Sequence, residues 1–143
     1  MAIAETIARL EATKGQTGLM LVGGAASFQK AVESNPPATP AAYVFMLDES
    51  AGPNPIAPDV IQRVGGNIAV VLVVRNLADP KGAASGQDME TLRAAVKAQL
   101  LGWQPATGYD PLERSRSHLL AFRDGHMYWQ DAYTTVFYDR SSQ

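Results

Sequence analysis

Apolar and polar positions are spread unevenly along the chain, and the densest apolar run stands at its centre. Seven residues, Ile68-Ala69-Val70-Val71-Leu72-Val73-Val74, are flanked by Gly65-Gly66-Asn67 on one side and Arg75-Asn76 on the other. A half-exposed strand alternates between apolar and polar side chains. A run without a polar break, rich in β-branched residues, predicts a strand covered on both faces. A helix packed within one small domain covers one of those faces. The other calls for a further layer, and the sequence points to a neighbouring copy of the same chain.

The flanking pattern predicts further elements. Ile3, Ile7 and Leu10 recur at helical spacing across Ala2–Thr13, with Glu5, Arg9 and Glu11 on other faces, and Lys14-Gly15 stops the helix. Gly18–Val22 is a short strand, and Gly23-Gly24-Ala25-Ala26 turns the chain into a second helix over Ser27–Ser34. Asn35-Pro36-Pro37-Ala38-Thr39-Pro40 is a connector, because its prolines fix φ and lack donors. Ala42–Glu49 has the β-branched and aromatic content of a strand, closed by Ala51-Gly52-Pro53-Asn54-Pro55, so residues 49–64 are expected to hold a long loop. Asp79–Ala84 breaks the chain after the central strand. From Ser85, where Asp88 three positions on resembles a capping box, Met89, Leu92, Ala95, Val96, Gln99, Leu100 and Trp103 follow the 3.6 period of a long helix. Gly102 ends it, and Trp103–Pro111 is a constrained loop. Ser115–Arg123 and Met127–Asp139 are strands joined by Asp124-Gly125, a hairpin signal. In the last strand Trp129, Asp131, Tyr133 and Phe137 share one face, with Tyr128, Gln130, Ala132 and Tyr138 on the other, so both faces carry large side chains. The elements describe one α+β domain over residues 1–143, a mainly antiparallel mixed sheet with two or three helices packed on it.

Composition narrows the function more than the fold. The 14 acidic and 12 basic side chains leave a formal charge of −2, too little positive field to hold a nucleic-acid backbone by counterion release. The absence of cysteine excludes disulfides, thiolate metal sites and cysteine nucleophiles. No window approaches the ~20 apolar residues of a membrane span, and Met1–Thr6 lacks the basic start and apolar run of a signal peptide, so the protein is expected to stay soluble where it is made.

Candidate chemistry has plainer structural readings. Gly23-Gly24 fits neither a dinucleotide fingerprint nor a P-loop and reads as a turn. His118 and His126, without cysteine, make a poor start for a zinc site. No serine lies in a nucleophile elbow. Asp48 and Glu49 are adjacent on a strand, point to opposite faces, and do not form a catalytic pair. Arg114, Arg116 and Arg123, with Arg75 and Lys81, read either as surface charge or as a basic patch for an acidic neighbour. Trp103 reads as the last packing contact of the long helix. The aromatic terminal hairpin is open between core packing and subunit contact.

Val22-Gly23-Gly24-Ala25-Ala26, Pro40-Ala41-Ala42-Tyr43-Val44, Ala69–Asn76, Leu100–Pro105 and Trp129-Gln130-Asp131 before Tyr133-Thr134-Thr135 occur in an order that spans nearly the whole chain. In that order the chain resembles the tail terminator, or tail-completion, proteins of long-tailed bacteriophages, particularly phages with Mu-like genomes and non-contractile tails. The resemblance implies a structural virion protein and no enzyme. It implies a hexameric ring at the head-proximal end of the tail tube that ends tube polymerisation, gives the head or neck its attachment surface, and is assembled in the host cytoplasm. Its partners would be other copies of itself, the tail tube protein and the head-to-tail connector, with DNA passing through unbound. No cofactor, metal or membrane is implied. By position, Trp129, Tyr133 and Phe137 are expected near subunit contacts, and the loops carrying Glu49, Asn54 and Arg63, and Asp79 and Lys81, at axial contacts. Another head-to-tail joining or minor tail protein is the alternative, and a small ligand-binding domain or enzyme a remoter one.

Overall fold

A computed structural model describes residues 1–55, 57–76 and 83–141. The elements are α1 (Ile3–Ala12), α2 (Lys14–Thr17), β1 (Leu21–Gly23), α3 (Ala25–Ser34), β2 (Ala41–Ala51), β3 (Ile61–Arg75), α4 (Ala83–Leu100), β4 (Glu113–Arg123) and β5 (His126–Arg140). They build an α+β fold around one five-stranded sheet in the order β1-β2-β3-β5-β4. β1 runs parallel to β2, and the other three pairings are antiparallel.

The apolar run lies in β3, between β2 and β5, so its backbone is paired on both sides. Alternate residues then diverge. Ile68, Val70, Leu72 and Val74 face α1 and α4 and pack with Leu10, Met89, Leu92, Val96, Leu100 and Tyr133. Val71 and Val73 face the other way and pack with Ala31, Tyr43 and Tyr128, backed by Phe28 of α3. Every residue from Val70 to Val73 is 0% exposed. The expectation that a neighbouring copy covers the second face is therefore corrected, because α3 covers it from within the chain. The reason is topological. A parallel β1–β2 pair needs a crossover, and the crossover helix comes to rest on the sheet.

The expected loop over residues 49–64 is also corrected. β2 continues to Ala51 and β3 begins at Ile61, so Glu49 and Arg63 are strand residues opposite Gly66 and Tyr138. Gly66 permits the tight packing here: a Cβ on it would meet Met1 Cε, Glu49 Cβ at 3.0 Å and the Asp48 carbonyl oxygen at 3.1 Å. Backbone pairing supplied by two neighbours holds this polar, glycine-containing stretch as strand, although no apolar period marks it. Asn54 lies in the short connection that remains. Its amide donates to the Asp59 carbonyl at 2.9 Å and its side-chain oxygen accepts from the Ile61 N–H at 2.9 Å, which closes the turn. The hairpin at Asp124-Gly125 forms as the sequence predicts, with both residues at positive φ, 51° and 70°.

Candidate functional site

The described residues bring together no catalytic constellation. Among them, no group of three or more His, Cys, Asp and Glu side chains stands close enough to hold a metal, and no helix is long and apolar enough to cross a membrane. His126 is buried with Nδ1 2.9 Å from the Asp124 carbonyl oxygen, inside the hairpin, while His118 is exposed on β4. Gly23 ends β1, with Ser27 packed against it, and Gly24 caps α3, so the expected turn over Gly23–Ala26 contracts to Gly24 between strand and helix.

The strongest polar arrangement joins α4 to β5. Asp131 is 2% exposed. It accepts from Arg93 Nε at 3.0 Å and Nη2 at 2.9 Å, from Trp129 Nε1 at 3.1 Å, and from the Ser117 hydroxyl. Burial pushes the Asp131 carboxyl up, but the donors from Arg93, Ser117 and Trp129 outweigh it and hold the carboxyl below its ordinary value. The guanidinium also lies 4.6 Å from the centroid of the Trp129 ring and donates to Glu90 at 3.1 Å. The donors on the carboxylate come from α4, β4 and β5, so the cluster is a clamp that joins the three elements. Burial also raises the Tyr133 hydroxyl well above the ordinary tyrosine range, chiefly by desolvation. No signal in the sequence distinguishes Arg93 from the other basic residues.

A second clamp secures α3. The Tyr128 hydroxyl lies 2.6 Å from Asn35 Oδ1 and 3.1 Å from the Ala31 carbonyl oxygen, and its one hydrogen is shared between these acceptors. Arg123 donates to the carbonyls of Ala31 and Val32, where the helix carries its partial negative charge. Both donors come from the terminal hairpin, which is thereby tied to the helix on the second face.

The residues expected at contacts separate in space. Tyr133 is 1% exposed and belongs to the core beneath α4, which leaves it no area to give a neighbour. Trp129 keeps part of its ring in solvent beside Arg93, and Phe137, also partly exposed, packs on Tyr109 with centroids 5.1 Å apart. Glu49, Asn54 and Arg63 gather at the end of the sheet where β2 turns into β3, close to the Tyr138–Arg140 end of β5. Asp79 and Lys81 lie outside the described residues. The chain leaves β3 at Arg75, at the opposite end of the sheet, before resuming at Ala83 in α4.

The sequence reading missed an apolar strip on the edge strand. Leu119, Leu120 and Phe122 of β4 are 49%, 39% and 38% exposed. β4 ends the sheet, so its outer backbone edge carries no strand among the described residues. A long edge strand with exposed apolar side chains is a pairing surface. Among the described residues the molecule thus offers surfaces for contact with other proteins.

In fold the chain is similar to a protein from a solved structure titled "Virion of native gene transfer agent (GTA) particle", with a TM-score of 0.60 and 14% sequence identity over 95% of this chain and 93% of that one. No curated protein matches it in sequence. The family described as phage tail terminator protein matches from residue 1 to residue 143. With its whole length so matched, the chain belongs to the phage tail terminator family, and it is a structural protein of the virion rather than an enzyme.

Proposed function

We propose that this protein closes into a hexameric ring on the head-proximal end of the tail tube, stops tube polymerisation and presents the surface to which the head or neck attaches. The single observation that carries the reading is the family match over the entire chain. Two features of the molecule support it. β3 is 15 residues long, so the chain ends that flank it stand about 45–50 Å apart. A subunit with its strands running from one rim of the ring to the other would therefore offer the β2–β3 connection around Asn54, with Glu49 and Arg63 beside it, to one axial partner. The chain between β3 and α4, which includes Asp79 and Lys81, would face the other. The second feature is the formal charge of −2, which suits a passage that DNA crosses without being held. Trp129 and Phe137, both partly exposed, are the candidates for subunit contact.

The test is genetic and visual. Deleting the gene from its phage should give tails of uncontrolled length under the electron microscope, with normal length restored by the protein supplied from a plasmid. Tails of normal length that fail to join filled heads would overturn the terminator role and leave a head-to-tail joining protein in its place.

A further inference from the structure

The sheet has two free edges, and their patterns of charge are complementary. On one side, β1 pairs only with Ala41–Tyr43 of β2, so from Phe45 to Ala51 the outer edge of β2 has no strand beside it among the described residues. Along that edge the chain reads apolar first, Phe45-Met46-Leu47, and acidic after, Asp48-Glu49. On the other side, β4 opens on the exposed Glu113, then reads basic, with Arg114 and Arg116, and apolar after, with Leu119, Leu120 and Phe122. Asp48, Glu49, Arg114 and Arg116 are all exposed, and among the described residues none of the four is in an ion pair.

Direction decides whether the patterns match. β2, β3, β5 and β4 are successively antiparallel, so β4 runs opposite to β2. A rotation about a ring axis leaves the axial direction of every strand unchanged. The β4 of one copy placed beside the β2 of the next is therefore antiparallel to it. Within one sheet Arg114 lies level with Met46 and Arg116 with Phe45, so strands strictly parallel to the axis would set the arginines against apolar residues. Strands tilted by about 35°, as in closed barrels, shift the junction by about four residues. Arg114 and Arg116 then fall opposite the Asp48–Ala51 segment while Leu119 and Leu120 fall opposite Val44–Leu47. A parallel junction would set the arginines against Phe45–Leu47 and the leucines against the carboxylates.

We propose that the ring closes by strand addition: β4 of each copy pairs antiparallel with the free edge of β2 on the next, and Arg114 and Arg116 meet Asp48 and Glu49 across the junction. The occupant of each edge is a second copy of this chain, because the complement of each edge lies on the opposite edge of the same molecule. Such a junction is heterologous, one patch meeting a different patch, as a closed ring requires. Main-chain hydrogen bonds supply the pairing and the charges set its register. The proposal rests on the ring reading above and names the surfaces that make the ring.

Two full-length variants test it. One carries Arg114→Glu and Arg116→Glu, so both of its edges are acidic, and the other carries Asp48→Lys and Glu49→Lys, so both of its edges are basic. All the changed side chains are exposed, and circular dichroism with a thermal melt verifies that each variant folds as the wild type does. Assembly is read by light scattering and by occupancy of purified tube ends in electron micrographs. Each variant alone should stay at the 15.3 kDa mass of a single chain and leave tube ends bare. An equimolar mixture should recover the wild-type assembly, since acidic and basic copies can alternate around an even-numbered ring. Variants that assemble separately as well as the wild type would overturn the edge pairing while leaving the ring intact. A mixture that fails to recover would overturn it too. Wild-type protein that stays monomeric both free and with tubes would overturn the ring reading itself.

Discussion

Replacing Arg93 by alanine removes the strongest donors from the Asp131 carboxylate, which is 2% exposed. Two of its four donor groups, Nε and Nη2, leave together, and the Ser117 hydroxyl and the Trp129 indole remain. Breaking one side of a buried ion pair costs about 3–5 kcal/mol, mostly because the surviving charge is stranded without compensation. For a chain of this size about 3 °C of melting temperature corresponds to each kcal/mol, so Arg93→Ala should melt roughly 10–15 °C below wild type at neutral pH. The pH dependence carries the diagnosis. In the wild type the native carboxyl titrates below its unfolded value, so the stabilisation is complete above the ordinary carboxylate range and is lost as pH falls through the native value. Without Arg93 the burial that pushes the carboxyl up is no longer outweighed, and its native value should rise above the unfolded one. The penalty should then grow as pH rises from the unfolded toward the native value, so the deficit relative to wild type is largest at neutral pH and shrinks toward pH 4. Urea unfolding at both pH values checks this, with protein concentration held fixed because any self-association would add a mass-action term. Arg93→Met combined with Asp131→Leu should recover much of the loss, since replacing both partners leaves no stranded charge. A deficit under 1 kcal/mol that is flat with pH would show that the clamp does not hold α4 to β5.

Three further outcomes follow from the packing. Leu72→Asp puts a lone carboxylate into a position that is 0% exposed between β2 and β5, at a cost of several kcal/mol, and should abolish folded, assembled protein as judged by circular dichroism and light scattering. Gly66→Ala drives a Cβ against the Asp48 carbonyl oxygen, a backbone atom, at 3.1 Å, and should lower stability by about 1–3 kcal/mol in a thermal melt. Tyr128→Phe takes away the hydroxyl whose hydrogen is shared between Ala31 and Asn35, costing about 1–2 kcal/mol, with faster hydrogen exchange at the C-terminal end of α3 than elsewhere in the chain.

The parts of the fold legible in the sequence are those whose signal is local. The valine run identifies β3, Asp124-Gly125 the hairpin, and the apolar stripe through Met89, Leu92 and Val96 the face of α4 that packs on the sheet. What the sequence hid depends on partners far along the chain. The Ile61–Asn67 half of β3 is strand because β2 and β5 pair with it on both sides, and its polar residues and glycines give no period to read. α3 covers the second face with little more than Phe28 and Ala31, too small a stripe to announce that it replaces a neighbouring subunit. Arg93 and Asp131 are 38 residues apart and look like ordinary charges until α4 lies on β5. Among the expected contact residues, Trp129 and Phe137 keep exposed area and Tyr133 does not, because Tyr133 sits mid-strand in the core that α4 covers, while Trp129 and Phe137 lie nearer the two ends of β5.

The sealing of β3 by helices from the same chain separates two events that a shared core would fuse. A protomer that hides its own valines needs no neighbour to cover its core, so its folding should not depend on dilution. In the proposed ring, closure would then have a concentration threshold of its own, set by the rims of the sheet. On that reading, finished and unjoined subunits would wait until completed tubes are there to receive them.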